Sequence, residues 1–338
     1  MAGLTEYIIK RAVYSFLLVL GTVFLTFILT HVVAPNPAAA WAGPHASAIE
    51  LQNIVREYHL NQPVYLQLWY YLESTLTFNF GISPSFDQPV SVLLATYYPR
   101  TLVLDFLAIA LSIVLGVFTG AFAAAHQDKA GDFSVRLSYM VSWGAPPFLV
   151  ALLIQFVFSY HFNIFPAEQM ADPSYSLPHV ITGVLPIDAI ISGDFVFLSS
   201  WVMHAVLPVI ALTLISFGII TRIMRSSMLE SLRTDYVRTA KMKGLSDRRT
   251  IYVHALKNSL IPVITIIALV FAYLITGSII VEEIFSYQGM GYLIVQSIND
   301  FDYPTLIGAT VVVTVSVILI NFVADVVYAM VDPKVRLG

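Results

Sequence analysis

The chain has 338 residues, and its composition is that of a membrane protein. Charged residues make up 11% of it, against about 25% in soluble globular chains, and the mean hydropathy is +0.79. The net charge of −4 is small, and there is no cysteine, which excludes disulfides, thiolate metal ligands and a cysteine nucleophile.

Six apolar runs are long enough to cross a bilayer, which takes about 20 residues. They are Ala12–Val33, Thr101–Ala125, Leu137–Ser159, Trp201–Ile220, Ser259–Val281 and Leu306–Met330. The first follows Lys10 and Arg11 as in a signal peptide, but its apolar run is too long for one and no small-residue cleavage pattern follows. We therefore predict an all-α polytopic membrane protein with six transmembrane helices, in which residues 1–33 form the N-terminus and the first span.

The positions of Lys and Arg predict the orientation of these spans. Fifteen of the seventeen fall in the N-terminus, the second and fourth connections and the C-terminus, and only Arg56 and Arg100 lie elsewhere. Basic residues collect on the cytoplasmic side of a membrane protein. Both termini are therefore predicted to be cytoplasmic.

The segment 34–100 is predicted to form an extracytoplasmic helical cap, and residues 101–338 a five-helix core. Prolines and alanines open the cap, and Ser47 with Glu50 makes a capping box for a helix Ser47–Tyr58. A second helix is predicted from Pro63 to about Thr77, before Gly81–Pro84 ends the helical pattern. One face of that helix is expected to be apolar and consists of Val64, Leu68, Tyr71, Leu72 and Thr75.

The predicted outer connections are acidic. Residues 34–100, 161–200 and 282–305 together hold twelve acidic residues against two basic ones. Such a surface attracts cationic ligands or a basic partner. It is equally typical of an acidic exterior, in which carboxylates of ordinary pKa near 4 are partly neutral.

Prolines interrupt two of the predicted spans. Gly144-Ala145-Pro146-Pro147 is expected to break or kink the third span, and Pro208 the fourth. In a pore-forming protein such breaks expose carbonyl groups or let helices flex, which makes Pro146 and Pro147 candidates for the translocation pathway. The alternative, that they only shape helix packing, carries equal weight.

Ionisable residues inside spans call for a functional hypothesis. Asp105 is expected near the outer interface, whereas Asp325 lies deeper, with Asn321 one helical turn before it on the same face. In a proton-coupled carrier, Asp325 is the expected proton-binding carboxylate; the favoured alternative is a polar pair that fixes helix packing. No repeated halves are visible in the sequence, which weakens the carrier hypothesis.

The stretch Arg222–Pro262 holds nine of the seventeen basic residues, and its first part, 222–258, is predicted to be a cytoplasmic loop. Asp235 is a good N-cap for a helix Tyr236–Lys243, with Gly244 just past its end, and Ser246 caps the next helix. Eight residues are too few for an isolated helix, which needs about 12–15. Val237, Ala240 and Gly244 share one face, so something must pack there, as expected of a docking element.

The sequence contains no G-x-x-x-x-G-K-[ST] phosphate loop, and its eight scattered histidines form no metal-ligand pattern. If ATP is used, another chain must bind it.

Several ordered motifs carry a family resemblance. The strongest is Asp235-Tyr236-Val237-Arg238-Thr239-Ala240-Lys241-Met242-Lys243-Gly244-Leu245-Ser246, which continues through Arg248-Arg249 and His254–Pro262. Others are Leu60–Pro63, Phe78–Gly81, Pro99–Leu102, His204–Pro208, Val281–Ser286, Gly289–Gly291 and Asp332–Leu337. In these motifs the chain resembles the B-type permease subunits of ABC importers of the dipeptide, oligopeptide and nickel class.

The resemblance implies a type I ABC importer permease fold and a transport subunit without catalytic activity. Two partner ATPases would bind ATP and Mg, and a second homologous permease would complete the pathway for peptides delivered by an external binding protein. Oligosaccharides, and less so nickel, are alternative substrates; no nucleic acid is implied. The expected location is the cytoplasmic membrane of a prokaryote.

The resemblance also implies which residues dock on the ATPase. These are Asp235, Tyr236, Val237, Arg238, Thr239, Ala240, Lys241, Lys243 and Gly244. The glutamate of the general importer motif is Arg238 here, and its Leu-Pro falls at Leu256-Lys257, as in the peptide-permease variant.

Overall fold

The computed structural model describes residues 2–28, 31, 38, 41 and 47–331, and helices dominate this part of the chain. Three features of the sequence lie outside the described residues: the proline- and alanine-rich opening of the cap, the motif Asp332–Leu337, and the side chains of Glu50 and Lys241.

The helix α1 precedes two short helices and a hairpin of two strands, each two residues long. Their bounds are α1 Ala2–Phe27, α2 Ala48–Glu57, α3 Val64–Leu76, β1 Ile82–Ser83 and β2 Gln88–Pro89. The strands pair antiparallel, with Ile82 opposite Pro89. Ser47 directly precedes α2, as the sequence predicted. Pro63 directly precedes α3, one residue before its predicted place in the first turn.

The rest of the chain contains the long helices. Their bounds are α4 Val90–Ala125, α5 Ala130–Gly144, α6 Pro147–Gln155 with a π-helical turn Phe156–His161, α7 Leu185–Ser192, α8 Phe195–Leu232, α9 Asp235–Met242, α10 Asp247–Arg249 with a π-helical turn Thr250–Ala255, α11 Leu256–Ile284, α12 Met290–Asn299 and α13 Tyr303–Val331. Among the described residues, five helical segments are long and apolar enough to cross a membrane, and the bent pair α5–α6 makes up to six. The chain is an all-α polytopic membrane protein.

The predicted third span is not one straight helix. The axes of α5 and α6 meet at 106°, and Ala145 and Pro146 between them have extended backbone (ψ 131° and 135°). Proline disfavours a helical conformation in the residue before it, so Pro146-Pro147 ends one helix and begins the next. Pro208 has no comparable effect, since α8 continues through it.

The centre of the fold is the contact between α4 and α8, where small residues let the backbones approach closely. A Cβ atom on Gly120 would lie only 2.7 Å from the carbonyl oxygen of Thr221. Hydroxyl pairs bridge the same surface, with Ser112 Oγ 2.6 Å from Ser216 Oγ and Thr119 Oγ1 3.0 Å from Thr221 Oγ1. Around this pair pack α5, α6 and α11.

The short helices of the first hundred residues are not a separate unit. A second apolar cluster joins Phe27 of α1 and Tyr71 of α3 to α4, α12 and α13, and Tyr71 is hydrogen-bonded to Thr26 at 2.9 Å. The predicted face of α3 is confirmed at Tyr71 and Thr75, which are buried. It is wrong at Val64, which is 56% exposed because it is the first residue of the helix.

We predict that Gly120→Ala lowers the free energy of unfolding of the purified protein by about 1–3 kcal/mol, because the added methyl group meets backbone atoms that cannot give way. Thermal unfolding in detergent measures the change. Gly21→Ala is the matched control: no atom lies within 4 Å of its added methyl group, so it should stabilise α1 by up to about 1 kcal/mol. Equal stability of the two variants would contradict the close approach of α4 and α8.

Candidate functional site

The basic stretch Arg222–Pro262 is mostly helical. Its first part belongs to α8, which continues to Leu232. The short helix α9 begins at Asp235 itself, one residue earlier than predicted, so Asp235 lies in its first turn. Gly244 follows it with φ +78°, the left-handed conformation that favours glycine after a helix, and Ser246 caps α10 as predicted.

One face of α9 is already occupied by this chain. Val237 and Ala240 are 1% and 8% exposed, and α9 packs on the π-helical turn Thr250–Ala255 and on α8. The small face noted in the sequence is therefore internal at these two residues. The described side chains that α9 leaves exposed are Asp235, Tyr236, Arg238, Thr239 and Met242, followed by Lys243 and Gly244.

Polar contacts fix α9 to the ends of two long helices. The Tyr236 hydroxyl interacts with Ser231 at the end of α8 and Asn258 at the start of α11. Burial raises the pKa of Tyr236, but these hydrogen bonds and one with Thr234 lower it by more, so its pKa falls below the ordinary value. Buried Ser259 joins the same two helices by donating to Ser231 Oγ at 2.9 Å.

These two helices extend well beyond the thickness of a bilayer. The helix α8 and the continuous helical segment Asp247–Ile284 have 38 residues each, or about 57 Å at 1.5 Å per residue. The hydrocarbon core is about 30 Å thick. Both helices that contact α9 therefore reach the opposite end of the bundle.

Two of the nine basic residues have structural partners within the helix bundle. Arg225 binds the fully buried Asp132 of α5 through Nε and Nη2, at 2.6 and 2.8 Å. The Arg222 guanidinium lies 4.9 Å from the centre of the Trp143 ring. Both residues fasten α5 to α8, so they are not free charges of a loop.

The acidic connections are less charged at their surface than the sequence predicted. Asp188, Glu282 and Asp302 are at most 1% exposed. The carboxylate of Asp188 accepts hydrogen bonds from the backbone and hydroxyl of Thr182, both at 2.6 Å. That of Asp302 accepts from Thr305 and Ser83. Three of the twelve acids are thus structural, which weakens the hypothesis of a cation-attracting surface.

Glu282 at the end of α11 is the one of these carboxylates that joins three of the long and outer helices, α4, α11 and α12. Oε1 accepts from Thr101 Oγ1 of α4 at 2.7 Å, and Oε2 accepts from the backbone N–H groups of Gly291 and Tyr292 of α12 at 2.7 and 3.3 Å. The sequence placed this motif in a connection and offered no sign of the contact, because the partners are 181 and 9 residues away.

Asp105 lies one turn after Thr101 on α4, and its side chain faces the protein interior. It is 0% exposed, and neither carboxylate oxygen has a hydrogen-bond partner. A charged carboxylate in such a place costs far more than a neutral one. The geometry therefore favours the neutral, protonated form of Asp105.

The pathway candidates fall in different parts of the fold. Pro146 and Pro147 form the bend between α5 and α6, which pack on α8. Asn321 and Asp325 lie on α13, and Asp325 pairs with Arg11 of α1 at 3.2 Å. The structure thus does not bring the four together, and Asp325 acts in the contact between α1 and α13.

The helices define a multi-pass permease-like membrane protein, and comparison with known proteins identifies its family. The model for the binding-protein-dependent transport system inner membrane component matches residues 112–337, and that for the N-terminal part of the same kind of membrane component matches residues 4–108. The chain belongs to this family of transport permeases, as its motifs predicted, and its fold is that of a type I importer permease.

The similar curated proteins span nearly the whole chain. It is 33% identical to the probable D,D-dipeptide transport system permease protein DdpB of Escherichia coli over 95% of both chains. It is 34% identical to the dipeptide transport system permease protein DppB of Bacillus subtilis over 99% of both. It is 36% identical to the oligopeptide transport system permease protein OppB of Haemophilus influenzae over 85% of both.

We predict opposite effects for the carboxyl-to-amide substitutions at Asp105 and at Glu282. Asp105→Asn should leave thermal stability unchanged or raise it, because it replaces a neutral acid by a neutral amide. Glu282→Gln should lower the free energy of unfolding by about 1–3 kcal/mol, because an amide has one acceptor oxygen and cannot accept all the hydrogen bonds that both oxygens of Glu282 accept. Melting curves of the purified variants in detergent decide the matter. A strongly destabilised Asp105→Asn variant would show that Asp105 is ionised.

Proposed function

We propose that this chain is one of two permease subunits of an ATP-driven ABC importer for di- and oligopeptides. It forms half of the translocation pathway and does not hydrolyse ATP itself. Two ATPase subunits bind ATP and Mg, a homologous permease supplies the other half, and an external binding protein delivers the peptide. The peptide class is supported by the names of the similar permeases.

The observation that carries the proposal is the seating of α9. The helix projects from the basic end of the bundle, is fixed on one side to α8 and α11, and leaves its other side exposed. Its exposed basic residues Arg238 and Lys243 are suited to acidic groups of an ATPase. A force on this surface is passed to α8 and α11 through buried contacts.

The remaining assignments complete the arrangement. The basic end and both termini face the cytoplasm of a prokaryote, so α2, α3, α7 and α12 lie on the outer side. The segment 34–100 then covers the outer mouth as a cap on which the binding protein docks. The proposed domain division is residues 1–33, the cap 34–100 and the core 101–338 with its coupling stretch 222–258; the helix α4, which begins at Val90, runs across the boundary between cap and core.

We predict that Arg238→Glu uncouples ATP hydrolysis from peptide uptake, because it places an acid where an acidic partner surface is expected. In proteoliposomes of the full complex, uptake should fall about 10-fold or more, the factor for a loss of roughly 1.4 kcal/mol. ATP hydrolysis should persist, and co-purification should show assembly.

The matched control is Arg249→Glu, since Arg249 is an exposed basic residue on the neighbouring turn α10. It should retain uptake. Full uptake by the Arg238→Glu variant would rule out α9 as the ATPase contact. Uptake that continues without ATP but stops when the proton gradient collapses would favour the carrier hypothesis instead.

A further inference from the structure

A hydrogen-bonded junction at the acidic end of the bundle joins three helices through two side chains. Thr101 of α4 donates to Glu282 of α11 at 2.7 Å, and its hydroxyl in turn accepts from the backbone N–H of Met290 at 2.7 Å. Glu282 also accepts from Gly291 and Tyr292. The first turn of α12 thus donates three N–H groups to Thr101 and Glu282, both of which are at most 2% exposed.

The backbone is shaped for this junction. A Cβ atom on Gly289 would lie 2.5 Å from both Glu282 Oε2 and Thr101 Oγ1. A Cβ atom on Gly291 would lie 2.9 Å from Glu282 Oε2. Only glycine at these positions lets the carboxylate reach the start of α12, where the unpaired N–H groups and the positive end of the helix dipole stabilise a negative charge.

The other side of α12 is held by apolar contacts. Met290 and Leu293 are 1% and 0% exposed and belong to the cluster shared with α1, α3 and α13. Beside the junction, Arg100 donates to the carbonyl of Gln288 at 3.2 Å. The helix α12 therefore packs on α4 and α11 and also on α13, which in turn contacts α1.

We propose that Glu282 and Thr101 are positioning residues of the import cycle: they fasten α12 to α4 and α11, so that a movement of α9 is delivered through α11 to α12 and the outer mouth. The proposal rests on the import function above. Its structural basis is the unbroken helical segment Asp247–Ile284, which carries the α9 contact at one end and Glu282 near the other.

The test uses the full complex in proteoliposomes and spin labels on introduced cysteines, which the chain allows because it has none of its own. Labels at exposed Ile298 of α12 and Val196 of α8 report the outer end. The wild-type label distance should change between the nucleotide-free and ATP-bound states. In Glu282→Gln this change should be lost and uptake should fall about 10-fold or more, while ATP hydrolysis persists.

Three further variants separate positioning from general stability. Thr101→Val removes the hydroxyl at nearly constant volume and should behave like Glu282→Gln, whereas Thr101→Ser keeps the hydroxyl and should restore uptake and the distance change. Glu283→Gln changes a neighbouring, half-buried carboxylate that makes no such bond and should resemble wild type.

The outcomes distinguish a failure of the proposed import function from a failure of the proposed role of the junction. If wild type shows no ATP-dependent uptake, the proposed function itself fails. If wild type imports peptide and Thr101→Val does so equally well with its distance change intact, the junction is not a positioning device. Equal losses in Thr101→Val and Thr101→Ser would overturn it as well. If the complex that contains Glu282→Gln does not assemble, the comparison of Thr101→Val with Thr101→Ser tests the role of the junction.

Discussion

A carboxylate buried away from water must find its hydrogen-bond donors within the protein. Asp132 is satisfied by Arg225, Glu282 by Thr101 and the start of α12, and Asp302 by Thr305 and Ser83. These contacts join helices that are distant in the sequence. Removing one partner would leave an uncompensated buried charge, so these contacts fix which helices lie side by side.

These contacts lie in three parts of the molecule: the closely packed centre, the basic end and the acidic end of the helix bundle. In the centre, the glycines of α4 and the hydroxyls shared with α8 hold two helices at close range. At the basic end, the Asp132–Arg225 pair ties α5 to α8 while α9 rests on α8 and α11. At the acidic end, Glu282 gathers α4, α11 and α12. In the import cycle proposed above, such an arrangement would carry a force from one end of the bundle to the other.

The unpaired Asp105 stands apart from this scheme. It lies one helical turn from Thr101 on α4, fully buried and without a hydrogen-bond partner, next to a carboxylate that has three. Two ionised carboxylates so close in a water-free setting would repel each other strongly. Both carboxyl groups can stay buried if Asp105 carries a proton and Glu282 accepts the hydrogen bonds.

The sequence alone determined the helical membrane class, the family and the local caps. Hydropathy, family motifs and capping residues are all read from a few neighbouring positions, so recognising them needs no tertiary contact. Ser246 caps a helix as predicted, and Pro146-Pro147 breaks the third span. Tertiary structure decided which charges are free. Arg225, Glu282 and Asp188 read as loop charges in the sequence, yet each is paired in the fold. Val237 and Ala240 likewise looked available to a partner but pack within the chain. Burial depends on contacts between residues as far apart as Ser83 and Asp302, which are 219 positions apart, and no local pattern records them.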